Sequence, residues 1–338
     1  MDVRLLNVIM LGVAFHLIFF SFQTSVFVQQ TVVNSIKTKP EYEFTGDGYI
    51  SLCIIYSVFA ISNWLSPSII SLSGSKYGMF LGAITYAVYT ASFIYPTTIL
   101  FYTAAALVGF GAGPLWTAQG GYLARNSDSK TSSRNAAIFW SMLQSSILFG
   151  NIFVYFAFDS QSIISDKTRY ILYGALTIVA MIGITVILSL RNDSDCSDMN
   201  IVLGGPTKLT AWGQFCEAVK LIKSFKIILL SFAFLFTGVY LSFFTGIYGT
   251  AIGATSQFGA DAKKYIGLSG ILIGMGEIFG GSVFGLSGKL ISQRISRDTI
   301  FVLGYLAAIG SIGLIYVNIP PDASLNKLSL QKPIIEPR

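Results

Sequence analysis

Hydrophobic residues fall in nine long runs along this chain, separated by short polar or Pro/Gly-containing segments. The runs cover Leu5–Val28, Tyr49–Ile70, Met79–Tyr95, Ala104–Ala124, Ala137–Phe158, Tyr170–Leu190, Ile227–Gly249, Ile266–Leu286 and Thr299–Val317. Runs of this length suit helices that cross a bilayer and are too long for core strands. The pattern therefore predicts an all-α polytopic membrane protein.

The fourth run, AAALVGFGAGPLWTAQGGYLA, is the most patterned. Ala105, Gly109 and Gly113 recur every four residues, so one face is nearly bare and a neighbouring helix can approach closely. Pro114 removes a backbone hydrogen bond and crowds the Phe110 carbonyl, which predicts a kink. Trp116 and Gln119 share a face one turn on. This face serves either as simple helix packing or as the wall of a gate. Arg125, Lys130 and Arg134 follow in the next loop.

The longest polar interruption is Arg191–Lys226. Its second half, Thr207–Phe225, places Leu209, Trp212, Cys216, Val219 and Ile222 on one stripe, as in a helix lying in the membrane interface. The organisation predicted is a six-span half over 1–190, a loop with an interfacial helix over 191–226, three further spans over 227–317, and a polar tail over 318–338. Six spans, a long loop and more spans suggest two repeated halves.

Composition agrees with a membrane protein. Hydrophobic residues make up 53% and charged residues 11%, with a mean hydropathy of +0.66; a soluble chain carries about 25% charged residues. The net charge of +6 does not point to nucleic acid, because the basic residues sit in loops. With the N-terminus in the cytoplasm, 13 Lys and Arg lie on the cytoplasmic side and 6 on the other, or 9 with the tail. That bias predicts a cytoplasmic N-terminus. The three cysteines have no metal-site spacing, and no cofactor is expected. The first run is too long for a cleavable signal peptide and reads as a signal anchor.

Few residues could carry chemistry inside the spans. Glu277 is the only acid within a predicted span, with Gly270, Gly274 and Gly281 on its own face. An intramembrane carboxylate normally faces the bundle interior, either as a proton or ligand site or as a structural hydrogen bond. His16, the only histidine, lies mid-span with Gln23 further along the same run. Gln119, Asn63, Gln144 and Asn151 are further amides in spans. With one histidine, no phosphate-binding loop and no paired carboxylates, nothing points to an enzyme.

Two turns carry a resemblance. The turn holding Gly78, and Gly281-Ser-Val-Phe-Gly285-Leu-Ser-Gly288-Lys289, resemble the spaced-glycine loop signature of major facilitators, with Ser75 and Gly285 at the acid positions. The segments LVGFGAGPLWTAQGGYLARNS and GILIGMGEIFGGSVFG resemble the Unc-ninety-three-like, channel-regulatory branch of that superfamily, and most closely its orphan members. The resemblance implies a major-facilitator-type bundle. Members have twelve spans, so the chain is expected to stop halfway through its second half. It also implies an orphan transporter or a regulatory subunit of an ion channel or receptor, with a trafficking chaperone or a shortened, non-transporting isoform as the alternative. The expected partners are the lipid bilayer and a channel or receptor, with a small molecule or ion as substrate.

Overall fold

Helices begin where the sequence offers a capping side chain. Asp47 Oδ1 accepts from the backbone N–H groups of Tyr49 and Ile50, at 2.9 and 3.2 Å. Thr97, Ser165 and Ser296 cap three further helices through their hydroxyls. Each satisfies an N–H that the first helical turn leaves without a partner.

The computed structural model of the chain describes residues 3–157, 165–191, 210–221, 223–286, 296–323 and 331–335. The helices are α1 (Val3–Lys37), α2 (Gly48–Ser92), α3 (Thr98–Arg125), α4 (Ser132–Ala157), α5 (Asp166–Leu188), α6 (Ala211–Leu221), α7 (Phe225–Ser242), α8 (Gly249–Ala254), α9 (Ala262–Leu286) and α10 (Arg297–Asn318). A π-helical stretch, Phe243–Tyr248, joins α7 to α8. No β-strand occurs among the described residues. Seven of the helices, α1 to α5, α7 and α10, are long and apolar enough to cross a membrane.

Several boundaries differ from the hydrophobic pattern. The second and third runs form one helical element, α2, broken at Gly74, where φ is 77° and ψ is 162°. Only glycine adopts this backbone without strain. The two arms fold back on each other, which brings Ser51 Oγ within 3.0 Å of Tyr89 Oη. The turn therefore falls at Gly74, and Gly78 lies inside the second arm, facing Ala118 of α3. Gly288 and Lys289, the matching residues of the later turn, lie outside the described residues. The helix expected over Thr207–Phe225 is observed as α6, packed beside α2.

Residues read as loop at the ends of α1 and α5 are helical because polar partners hold them. Gln29 Nε2 donates to the Gly48 carbonyl (2.9 Å), and the Gly48 N–H donates to Gln30 Oε1 (2.8 Å). Tyr89 Oη donates to Gln29 Oε1 at 2.5 Å. Arg169, 2% exposed, ion-pairs with Asp166 at 3.2 Å and donates to Tyr42 Oη at 3.0 Å. Asp166 also pairs with Lys39 at 2.6 Å. Buried charge of this kind persists only when paired and hydrogen-bonded.

α1 runs through the middle of the bundle, against α2, α4 and α5. Leu11, Phe15 and Ile18 are fully buried there. By contrast, α7 has no buried residue, and α10 is almost wholly exposed.

α3 meets both arms of α2 through glycines. A Cβ on Gly109 would lie 2.5 Å from the Ile55 carbonyl, and one on Gly113 would lie 2.5 Å from Ser62 Oγ. On the second arm, a Cβ on Gly82 would lie 2.5 Å from the Gly111 carbonyl. This closeness solves the problem that Pro114 creates. Pro114 leaves the Phe110 carbonyl without its helical donor, and the Ser62 hydroxyl of α2 donates to that carbonyl at 2.5 Å. In lipid no water can take such a group over. Ser62→Ala should therefore cost about 1 to 3 kcal/mol, seen as a lower thermal midpoint of the purified protein. Ser71→Ala, at an exposed serine bonded only within its own helix, should change nothing. Equal midpoints for the two variants would contradict the assignment.

Candidate functional site

The packing of α9 against α4 creates the candidate site. A Cβ on Gly270 would lie 2.1 Å from Asn151 Cγ, and one on Gly274 would lie 2.6 Å from the Leu148 nitrogen. A Cβ on Gly281 would meet Ser141 Oγ at 3.4 Å. The numbers fall on α9 as they rise on α4, so the two helices run antiparallel with Gly270, Gly274 and Gly281 in contact. At about 100° per residue, these three glycines sit within about 40° of one another. Glu277 lies at the rim of that face, about 20° from Gly270, with Ile273 and Gly276 further round on the adjoining face and Met275 and Phe279 on the far one.

That adjoining face lines a cavity of about 300 Å³ between α1, α4, α7 and α9. Its polar lining is Gln23 from α1, Asn151 from α4 and Glu277 from α9. Phe27, Tyr240 and the π-helical Phe244 supply aromatic walls. The register sets Glu277 opposite residues 144–145 of α4, beside Ser146, whose hydroxyl donates to Gln23 Oε1 at 2.7 Å.

The cavity's polar groups are incompletely satisfied. Asn151 Nδ2 donates to the Ile147 carbonyl at 2.9 Å, but Asn151 Oδ1 is buried without a partner. Glu277 Oε2 is also buried without a partner. The sequence allowed a neighbouring helix to supply a donor to this carboxylate; among the described residues Glu277 Oε2 has none. Both unpartnered atoms accept hydrogen bonds; Gln23, whose Oε1 is taken by Ser146, brings amide N–H groups to the same lining, and Tyr240 a hydroxyl.

A second cavity, about 340 Å³, lies beside the first. Phe19, Phe22, Tyr86, Trp116 and Trp140 line it, with Gln23 and Gln144. Trp116 stacks on Trp140 at 5.9 Å and meets Phe19 at 5.0 Å. Gln23 and Leu241 line both cavities and so stand between them.

The structure thus brings Gln23 and Glu277 together at one cavity and Trp116 to its neighbour. His16 lines neither. Its Nδ1 lies 2.9 Å from the Met142 carbonyl and 2.8 Å from Ser145 Oγ, which ties α1 to α4. Gln119 is buried in α3 and lines neither cavity. Gly109 and Gly113 belong to the α2 contact described above, one turn ahead of the Trp116 wall. At the end of α3, Arg125 donates to the hydroxyl of Ser75, the residue at the acid position of the facilitator-like turn. The decisive contribution of Asn151 was not legible among five similar amides. The bare Gly270–Gly274 edge that presses on Asn151 was its only signal.

Long apolar helices closing around internal cavities define an integral, multi-pass membrane protein. Residues 42–338 match the family described as "Ion channel regulatory protein UNC-93", and the chain belongs to that family. It is similar to the UNC93-like protein MFSD11 of Xenopus laevis, 40% identical over 334 residues, which spans 95% of this chain and 74% of that protein. The protein unc-93 homolog A of Danio rerio is 23% identical over 316 residues, spanning 82% of this chain and 66% of that protein. Among solved structures, a D-xylose-proton symporter aligns over 92% of this chain and 75% of its own, with a TM-score of 0.45 and 15% identity.

The α4–α9 contact predicts a cross-link. Ser141 Oγ and Ser282 Oγ lie 3.3 Å apart. With Cys53, Cys196 and Cys216 replaced by serine, the double variant Ser141→Cys, Ser282→Cys should form a disulfide under mild oxidation. Adding Gly274→Leu, which forces a side chain into the Leu148 backbone, should abolish it. Cross-linking that survives Gly274→Leu would show that the glycine contact does not hold the helices in place.

Proposed function

We propose that the chain is a carrier-type membrane protein of the major facilitator kind, in which the cavity between α1, α4, α7 and α9 takes a small ligand. One observation carries the proposal. Glu277 and Asn151 line a single intramembrane cavity, and each has a buried oxygen, Oε2 and Oδ1, without a partner. Such groups are expensive in a bilayer, and a packing role would have supplied donors. Volumes from about 300 Å³ upward are typical of small-molecule sites. The proposed orientation has the N-terminus and α6 in the cytoplasm, on the strength of the basic-residue bias.

A second reading is regulation of a channel or receptor, which the family's description favours. Large apolar side chains such as Phe232, Leu235 and Val239 are exposed along α7, and a partner's helix could lie against them. Affinity purification from native membranes separates the readings: a channel or receptor recovered in stoichiometric amount favours regulation.

Glu277 gives the direct test of the carrier reading. A carboxylate retained for ligand binding destabilises the empty protein, so Glu277→Gln should keep or raise the thermal midpoint. A structural carboxylate predicts the reverse, a loss of about 1 to 3 kcal/mol. A midpoint several degrees lower would count against the carrier reading. The orientation is tested by impermeant thiol labelling of intact cells. Thr38→Cys should label and Thr210→Cys should not; the opposite pattern would invert the topology.

A further inference from the structure

The arrangement around Glu277 points to the chemical class of the ligand. We propose that this cavity binds an organic ammonium ion with an apolar, preferably aromatic, body, and that Glu277 is its counter-ion. The proposal rests on the carrier reading above and deepens it.

Three observations carry it. First, the unpartnered polar atoms of the cavity are both acceptors, Glu277 Oε2 and Asn151 Oδ1. An anion would be repelled by the carboxylate, while a cationic N–H donor satisfies its unpaired oxygen. Asn151 is 2% exposed, so its carbonyl oxygen has no access to bulk water. Second, the remaining walls are largely apolar and aromatic, with Phe27, Tyr240 and Phe244 in the same lining as the carboxylate. Ring faces attract an alkylammonium, and more strongly where water is excluded. Third, the space does not suit a bare metal ion. Hard cations take about six oxygen ligands, whereas this cavity of about 300 Å³ offers one carboxylate and two amides.

The seven residues between Gly270, which abuts Asn151, and Glu277 span about 10 Å of helix. The two acceptors therefore stand towards opposite ends of the cavity. A ligand with its ammonium at Glu277 extends along the cavity towards Asn151. Its apolar part then lies among the aromatic rings, with Gln23 and Leu241 between it and the Trp116 cavity.

The test uses the purified full chain and three probes of matched shape: 2-phenylethylamine, 2-phenylethanol and 3-phenylpropanoate. Ligand-induced shifts of the thermal midpoint are titrated at pH 7 for the unaltered chain, Glu277→Gln and Gly276→Leu. A Cβ at Gly276, in the cavity lining, would meet nothing within 4 Å, so leucine there can be added without a backbone clash and takes up cavity space. The expected result is stabilisation by the amine alone. Its apparent affinity should weaken about tenfold or more in Glu277→Gln, the loss of a charge-assisted bond, and the shift should vanish in Gly276→Leu. An amine effect unchanged in either variant overturns the proposal, because binding then lies elsewhere. Equal stabilisation by the alcohol, lost in Gly276→Leu, overturns the ammonium assignment while leaving the cavity a ligand site. No shift with any probe also overturns the assignment; the carrier reading then stands or falls on the stability of Glu277→Gln in the absence of ligand. Should Glu277→Gln fail to fold, the amine–alcohol comparison and Gly276→Leu still decide.

Discussion

The candidate site depends on two glycines. Gly270 and Gly274 let α9 approach α4 until its backbone meets Asn151 and Leu148. Association of helices in lipid has little hydrophobic drive and relies on such close packing. Any side chain at these positions would push α9 outward. The contact also fixes rotation: with the glycine edge on α4, Glu277 turns toward Gln23 and the cavity, and Met275 and Phe279 turn outward, 55% and 71% exposed. Placement of the carboxylate follows from the placement of the glycines.

The same principle holds the other side of the bundle. Glycines on α3 bring α2 close enough for the Ser62 hydroxyl to reach the carbonyl that Pro114 leaves free. α3 then carries Trp116 to the wall of the aromatic cavity, with Phe19 and Trp140. His16 and Gln23 pin α1 to α4 through Met142, Ser145 and Ser146. Both cavities thus form where α1 is held by polar bonds and its neighbours by glycine contacts. Spaces of this kind at helix interfaces are where bundle proteins place their ligands.

Much of the architecture was legible in the sequence. Length and hydropathy exposed the spans, because a bilayer imposes a minimum length on every crossing helix. Glu277 stood out because an acid inside a span is costly. The turn read over residues 71–78 holds two glycines, Gly74 and Gly78, and only the backbone angle shows that Gly74 makes it. Gln29, Gln30 and Arg169 read as loop because polarity alone cannot show that Gly48, Tyr89, Tyr42 and Asp166 will satisfy them. For His16 the sequence favoured a hydrogen bond to a neighbouring helix over a cavity role, but it could not name the partners, which lie more than a hundred positions away on α4. The aromatic wall from Phe27, Tyr240 and Phe244 was hidden for a different reason: Phe and Tyr occur throughout such helices, most often facing lipid.

The central claim is that α9 presents one face to α4, one to a water-reachable cavity and one to lipid. Spin-label accessibility along α9, in the chain reconstituted into bilayers, measures this directly. Labels at Ile273 and Gly276 should collide with a water-soluble nickel chelate, and labels at Met275 and Phe279 with oxygen dissolved in lipid. Oxygen accessibility alone at Ile273 and Gly276 would place Glu277 against lipid and contradict the account.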